Sequence, residues 1–276
     1  MPWLSRVPCF ILATLALFIG QTMLGQDPAR LPEFEVATIK PVSPSGMHRN
    51  GVKVLPGGEI DIGSVTLKTL VCIAYGVGWW QVSGGDGWVD KDSYDVVAKP
   101  PESWASKITD LRYSLFGIDD ENLRQMLQAL LRGRFQLKVH QETKRGRVYL
   151  LELNGRPLKL KPAPPGPSAK ASSGSVDGFA SIGFAGSWVI SHTTMQQLAK
   201  FASDFYIHAP VLDRTGLDGV FEYRSPEEAP EDSDHIVSDS ADSFLELLHS
   251  VGLKLESSPG SVETLVIDHA ERPSPN

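Results

Sequence analysis

Cysteine is scarce in this chain, with 2 among 276 residues, Cys9 and Cys72. Cys9 sits in an N-terminal segment with the marks of a removable leader, so the remainder has no internal disulfide available and must cohere by packing. Positive charge is also short. Lys+Arg number 26 against 33 Asp+Glu, a formal net charge of −7, which argues against nucleic acid or an anionic membrane surface as partner. Long apolar runs are lacking: Cys9 to Gly20 is about a dozen residues, where a membrane-crossing helix needs ~20.

The spacings that announce a chemistry are missing too. Seven histidines (His48, His140, His192, His208, His235, His249, His269) form no H-x-x-x-H or H-E-x-x-H pair around a metal. There is no G-x-S-x-G elbow, and Ser187 and Ser191 are its nearest approaches, Ser191 reading better as part of a helix cap. The GGDG from Gly84 lacks the lysine and the spacing of a phosphate loop. Asp86, Asp90, Asp92 and Asp95 crowd one loop, but counting from Asp90 puts Asp95 where a calcium loop needs glycine. Asp213-Arg214-Thr215-Gly216 interrupts the Asp-Thr-Gly of aspartic proteases with an arginine. The expectation is no metal and no cofactor.

What is present starts with one positive charge, Arg6, followed by the Cys9–Gly20 run and a small, polar stretch ending near Gly25. This reads as a signal peptide over residues 1–25 and implies an exported protein, periplasmic or secreted, with no stable membrane span after cleavage. Cys9 precedes the apolar run, so a lipoprotein is not expected.

The stretch Gly58–Ala74 recurs without a gap at Gly186–Ala202, with identities Gly58/Gly186, Ile62/Ile190, Thr66/Thr194, Leu70/Leu198 and Ala74/Ala202. Thr66 and Thr194 read as N-caps of helices. Leu123, Met126, Leu127, Leu130 and Leu131 predict a helix over Glu121–Arg132, and Phe244, Leu247, Leu248 and Val251 predict one over Ala241–Val251. Each is followed by an expected hairpin, turning at Lys144–Arg147 in one case and at Pro259-Gly260 in the other. The predicted fold class is α+β, an internal duplication of a two-helix unit packed on mostly antiparallel strands, pseudo-symmetric. The expected organisation is signal peptide 1–25, first repeat 26–155, Pro/Ser-rich linker 156–175 and second repeat 176–276.

The segments GWVDKDSYDVVAKPP from Gly87, LRQMLQALLRGRFQLKVHQETKRGRVYLLEL from Leu123, PVLDRTGLDGVFEY from Pro210 and SVETLVIDHAERPSPN from Ser261 resemble the successive signatures of an uncharacterised secreted-protein family, a domain of unknown function expanded in soil acidobacteria of the Solibacter type. That resemblance supplies no catalytic residues. Some relatives resemble the extracytoplasmic end of sensors with an antirepressor-type metallopeptidase in front, which implies sensing or ligand binding more than turnover. In element order alone the halves are similar to the small periplasmic domains that begin secretins and TonB-dependent receptors.

Two sets of residues are candidates for a site. Trp79, Trp80 and Trp88, clustered with Trp104, offer flat apolar faces to a protein, peptide or glycan of the envelope; alternatively Trp88 and one of the Trp79/Trp80 pair anchor the core. His140 and Glu142, two apart on a strand and so on one face, could form an acid/base pair with Asp213 as a further carboxylate, the basis of a secreted-hydrolase reading. A solvated hairpin face is the bland alternative. Cys72 lies in an apolar helix and reads as a small core residue. The expected function is an exported, non-catalytic binding or interaction module.

Overall fold

Among the described residues strands outnumber helices, and helices form where a capping residue precedes a run with helical spacing. In the computed structural model the described residues are 32–42, 51–55, 57–105, 113–114, 117–118, 120–163, 179–182, 188–225 and 241–273. The leader segment, the greater part of the predicted linker, His48, His235 and Ser187 lie outside them. The first elements are β1 (Val36–Pro41), β2 (Gly51–Val54), β3 (Ile60–Thr66), α1 (Leu67–Tyr75), a 3-10 turn (Trp79–Gln81), β4 (Val82–Gly84) and β5 (Ser93–Lys99). There follow α2 (Glu102–Ala105), β6 (Tyr113–Ser114), β7 (Gly117–Ile118), α3 (Glu121–Arg134), β8 (Lys138–Leu153), β9 (Lys161–Pro162) and β10 (Phe179–Ile182). The chain continues through β11 (Trp188–Thr193), α4 (Met195–Phe201), a π-turn (Ala202–Ile207), β12 (Val211–Asp213), β13 (Phe221–Arg224), α5 (Ala241–Val251) and β14 (Leu253–His269).

The helix starts follow from their caps. Thr69 N–H donates to Thr66 Oγ1 at 3.3 Å, and Leu123 N–H donates to Asp120 Oδ1 at 3.0 Å. Thr194 and Gln197 exchange bonds in a full capping box, at 2.9 and 3.1 Å. Helix α1 stops at Gly76, whose φ of 65° suits glycine, with Val77 N–H donating to Cys72 O. Leu67, Leu70, Val71 and Ala74 of α1 bury against Leu123, Met126, Leu127 and Leu131 of α3 in a first core. A second core gathers Leu198 and Phe201 of α4 with Phe244, Leu248 and Val251 of α5, where the Tyr206 and Phe244 rings stack at 4.4 Å.

Strands nevertheless dominate. Among the described residues three four-stranded sheets run in the orders β1-β5-β3-β2, β10-β11-β13-β9 and β12-β8-β14-β4, beside a short β6-β7 ladder. The third sheet overturns the predicted fold class. Lys138–Leu153 and Leu253–His269 do not turn back on themselves; each is one long strand, and the two pair antiparallel with each other from end to end. The expected turns lie in mid-strand, Gly146 opposite Gly260 and Arg147 opposite Pro259. With no hairpin behind either helix, there is no two-helix repeat unit. What recurs at the similar segments is a local strand-to-helix corner. Ser64 (φ 52°) and His192 (φ 43°) sit in strand irregularities two residues before the caps Thr66 and Thr194. The start of the predicted linker is also built in, since Leu160 is buried and Lys161–Pro162 pairs with β13.

The glycines explain why a turn signal became a crossing. A methyl group on Gly260 would lie 2.6 Å from Val148 Cγ1, and one on Gly146 would lie 2.7 Å from Val262 Cγ2. The ribbon closes only where no Cβ intervenes. Gly260→Ala is therefore expected to destabilise the protein by about 1–3 kcal/mol, the usual range for overpacking, as read from urea unfolding. Gly87→Ala, where nothing lies within 4 Å of the added carbon, should leave the midpoint close to that of the unmodified protein.

Candidate functional site: the tryptophan corner

The 3-10 turn after α1 is closed on itself and tied to β14 through Gln81. Gly78 N–H donates to Gln81 Oε1 at 2.9 Å, and Gln81 Nε2 donates to Glu263 O of β14 at 3.1 Å. Trp79 stands out from this turn with 58% of its surface exposed, an unusual state for so large an apolar side chain. Lys68 Nζ lies 3.5 Å from its ring centroid and 3.9 Å from Asp90 Oδ1. One ring face is thus covered by a cation, which holds the indole in place and leaves the rest to solvent.

Trp80 turns inward and is half-buried; its Nε1 is shielded from solvent and has no hydrogen-bond acceptor. Leaving such a donor unpaired costs about 1–3 kcal/mol, which the packing around it must offset. A methyl built on Gly78 would land on Asp204 Oδ1 and lie 2.8 Å from Trp80 Nε1, so Gly78 lets the π-turn approach the corner. Asp204 is itself anchored by Lys200 Nζ at 2.9 Å. Trp88 is half-buried against the first core, with Arg272 Cζ 5.0 Å over its ring and Arg272 Nε donating to Asp92 Oδ2 at 2.7 Å. Beside this stack a cavity of about 500 Å³ is lined by Lys91, Asp92, Tyr94 and Arg272 among others. The three tryptophans therefore occupy three different environments: Trp79 outward, Trp80 inward, and Trp88 half-buried beneath an arginine.

His140 and Glu142 share one face of β8. His140 Nδ1 lies 2.8 Å from Asp268 Oδ1 across the ribbon and Nε2 lies 3.4 Å from Glu142 Oε1, while Lys144 Nζ takes the other oxygen of Glu142 at 2.6 Å. The hydrogen bond to Asp268, then that to Glu142, raises the His140 pKa above 6.5. Glu142 is held below the usual carboxylate range by Lys144 and then by His140. The group is well exposed, His140 at 47% and Asp268 at 44%. Asp213 does not join it. That carboxylate accepts from Thr215 N and Oγ1 at 2.9 and 2.8 Å, in a turn next to Leu151 at the far end of β8.

Lys68, Asp204, Asp268 and Arg272 were not singled out from the sequence. Nothing local could have paired Asp268 with His140, which meet across the β8–β14 ladder, or Arg272 with Trp88, which lie 184 positions apart. The crowded aspartates separate: Asp90 faces Lys68, Asp92 takes Arg272 and Asp95 Oδ1 accepts from Ser64 N–H at 2.9 Å. Cys72, flanking the first core, has its thiol pushed up to about 12 by burial, with Lys68 opposing, which keeps it protonated. No helix among the described residues is long and apolar enough to cross a membrane.

Residues 68–270 match a protein family described as "Protein of unknown function (DUF3738)". No curated protein and no solved structure matches the chain.

Two outcomes follow from this geometry. Gly78→Ala should lower stability by about 1–3 kcal/mol, because the added carbon displaces Asp204 from the corner; thermal unfolding at neutral pH measures it. For the His140 group, the contribution to stability is present below the unfolded pKa near 6.5 and fades as pH rises through the higher folded value. Asp268→Asn should move the imidazole titration midpoint, followed by NMR, down toward 6.5; an unmoved midpoint would mean that the pair does not form in solution.

Proposed function

Because the chain belongs to DUF3738, a family of proteins of unknown function whose match spans both cores, we propose that it is an exported, non-catalytic recognition module. In this reading it takes a protein, a peptide or a glycan of the cell envelope and serves extracytoplasmic sensing. The observation that carries it is Trp79, more than half exposed on a turn that Gln81 closes and ties to β14, and with its ring face steadied by Lys68. A rigid, exposed indole loses little conformational entropy on binding and brings a large apolar area, the usual character of an interface anchor. The Arg6 and Cys9–Gly20 pattern supports export, as does the likeness to secreted proteins of Solibacter-type acidobacteria.

The secreted-hydrolase alternative draws on His140 and Glu142, which do come together with Asp268. Against it, Asp213 is committed to its own turn, and the cavity next to Trp88 is lined by other residues. A half-exposed imidazole between two carboxylates on an open ladder suits an ion-pair cluster better than a sequestered acid/base site.

Trp79→Ala is expected to abolish recovery of the partner from envelope extract while leaving the melting temperature within about 1–2 °C, since an exposed side chain off the core contributes little to folding. Recovery equal to that of the unmodified protein would remove Trp79 from the binding surface. Trp80→Ala serves as the contrast: loss of a half-buried ring should lower the melting temperature by several degrees.

A further inference from the structure

The outer face of the sheet containing β9, β11 and β13 carries an arrangement unrelated to the tryptophan corner. Leu160 is buried, so alternation turns its neighbours Lys159 and Lys161 to the opposite side. The main chain there is placed by Lys159 N–H donating to Val251 O at 3.0 Å. Gly252, at φ 98°, allows that close pass, because a Cβ would lie 3.0 Å from Pro157 O. On β13 the buried Phe221 sets the same alternation, sending Glu222 and Arg224 outward. The register then puts Lys161 opposite Glu222 and Val189 opposite Arg224. Lys159, Lys161 and Arg224 line one concavity of about 350 Å³, with Ser191 and Tyr223 also on its wall and Ile190 beneath.

Among the described residues three cations face this space against one carboxylate, in a chain whose formal charge is −7. Among the described residues none of the three lies within ion-pair distance of an acid; even Lys161 and Glu222, direct cross-strand neighbours, do not close on each other. Like charges gathered in a concavity repel unless an anion enters, and a concave wall concentrates their field. The volume is that of a small-molecule site. Arginine offers a planar fork to an oxyanion and the two lysines add mobile point charges.

We propose that this concavity is a binding site for a small multivalent oxyanion, a polycarboxylate or a phosphorylated metabolite, held by Arg224, Lys159 and Lys161 with Ser191 as a further donor. Citrate and pyrophosphate are the probes that separate the two sources, titrated calorimetrically into the full chain at low salt. Saturable binding of either, weakening as salt is added, is the expected result, and the tighter of the two identifies the source.

Arg224→Glu and Lys161→Glu should each weaken that binding at least about tenfold without lowering the melting temperature, since both side chains are exposed. Glu222→Gln should strengthen it. Lys53→Glu, an equal change of net charge on exposed β2, should have little effect. The proposal falls if neither probe saturates, or if Lys53→Glu weakens binding as much as Lys161→Glu, which would reduce the effect to net charge.

Discussion

The pairing of β8 with β14 is the interaction on which the rest of the molecule depends. Strand β8 leaves α3 beside the first core and delivers Leu151 to the second. Strand β14 leaves α5 beside the second core and delivers Leu265 and Ile267 to the first. The short strands follow the same exchange, β4 adding parallel to β14 and β12 parallel to β8. Fully burying a Leu or Ile contributes roughly 1.5–3 kcal/mol. Three such residues approach the whole net stability of an ordinary domain, about 5–15 kcal/mol. Each core is therefore completed by a strand that starts beside the other.

Strand β14 takes part in both groups of polar contacts around the candidate sites. Trp79 owes its fixed position to Gln81, which is tied to Glu263 of β14. Trp88 is overlaid by Arg272, just beyond the end of β14. His140 on β8 finds Asp268 on β14. Segments far apart in sequence thus meet along β14, and a shift of one residue in the β8–β14 register would send His140 and Asp268 to opposite faces.

Much of the local structure was legible beforehand. Thr66, Thr194 and the apolar stripes of Glu121–Arg132 and Ala241–Val251 marked their helices, α3 running on to Arg134, because capping and 3.6-residue periodicity act over a few neighbouring residues. The placement of His140 beside Glu142 was equally local, a matter of strand alternation. The inward turn of Trp80 was not, since the pair lies in a 3-10 turn instead of an extended strand. Nor was Asp268 as the closest partner of His140, which comes from a strand more than a hundred residues later.

Sequence alone determined where helices begin, which faces are apolar, the deficit of cysteine and positive charge, and the tryptophan-rich stretch, all set by the composition and short-range geometry of neighbouring residues. Only the tertiary structure decided that Gly146 and Pro259-Gly260 continue strands instead of ending them. Glycine and proline ordinarily signal a turn through their own backbone preferences. Here the stronger constraint is non-local: Val148 and Val262 press on the facing strand, and the glycines are needed because there is no room for a Cβ.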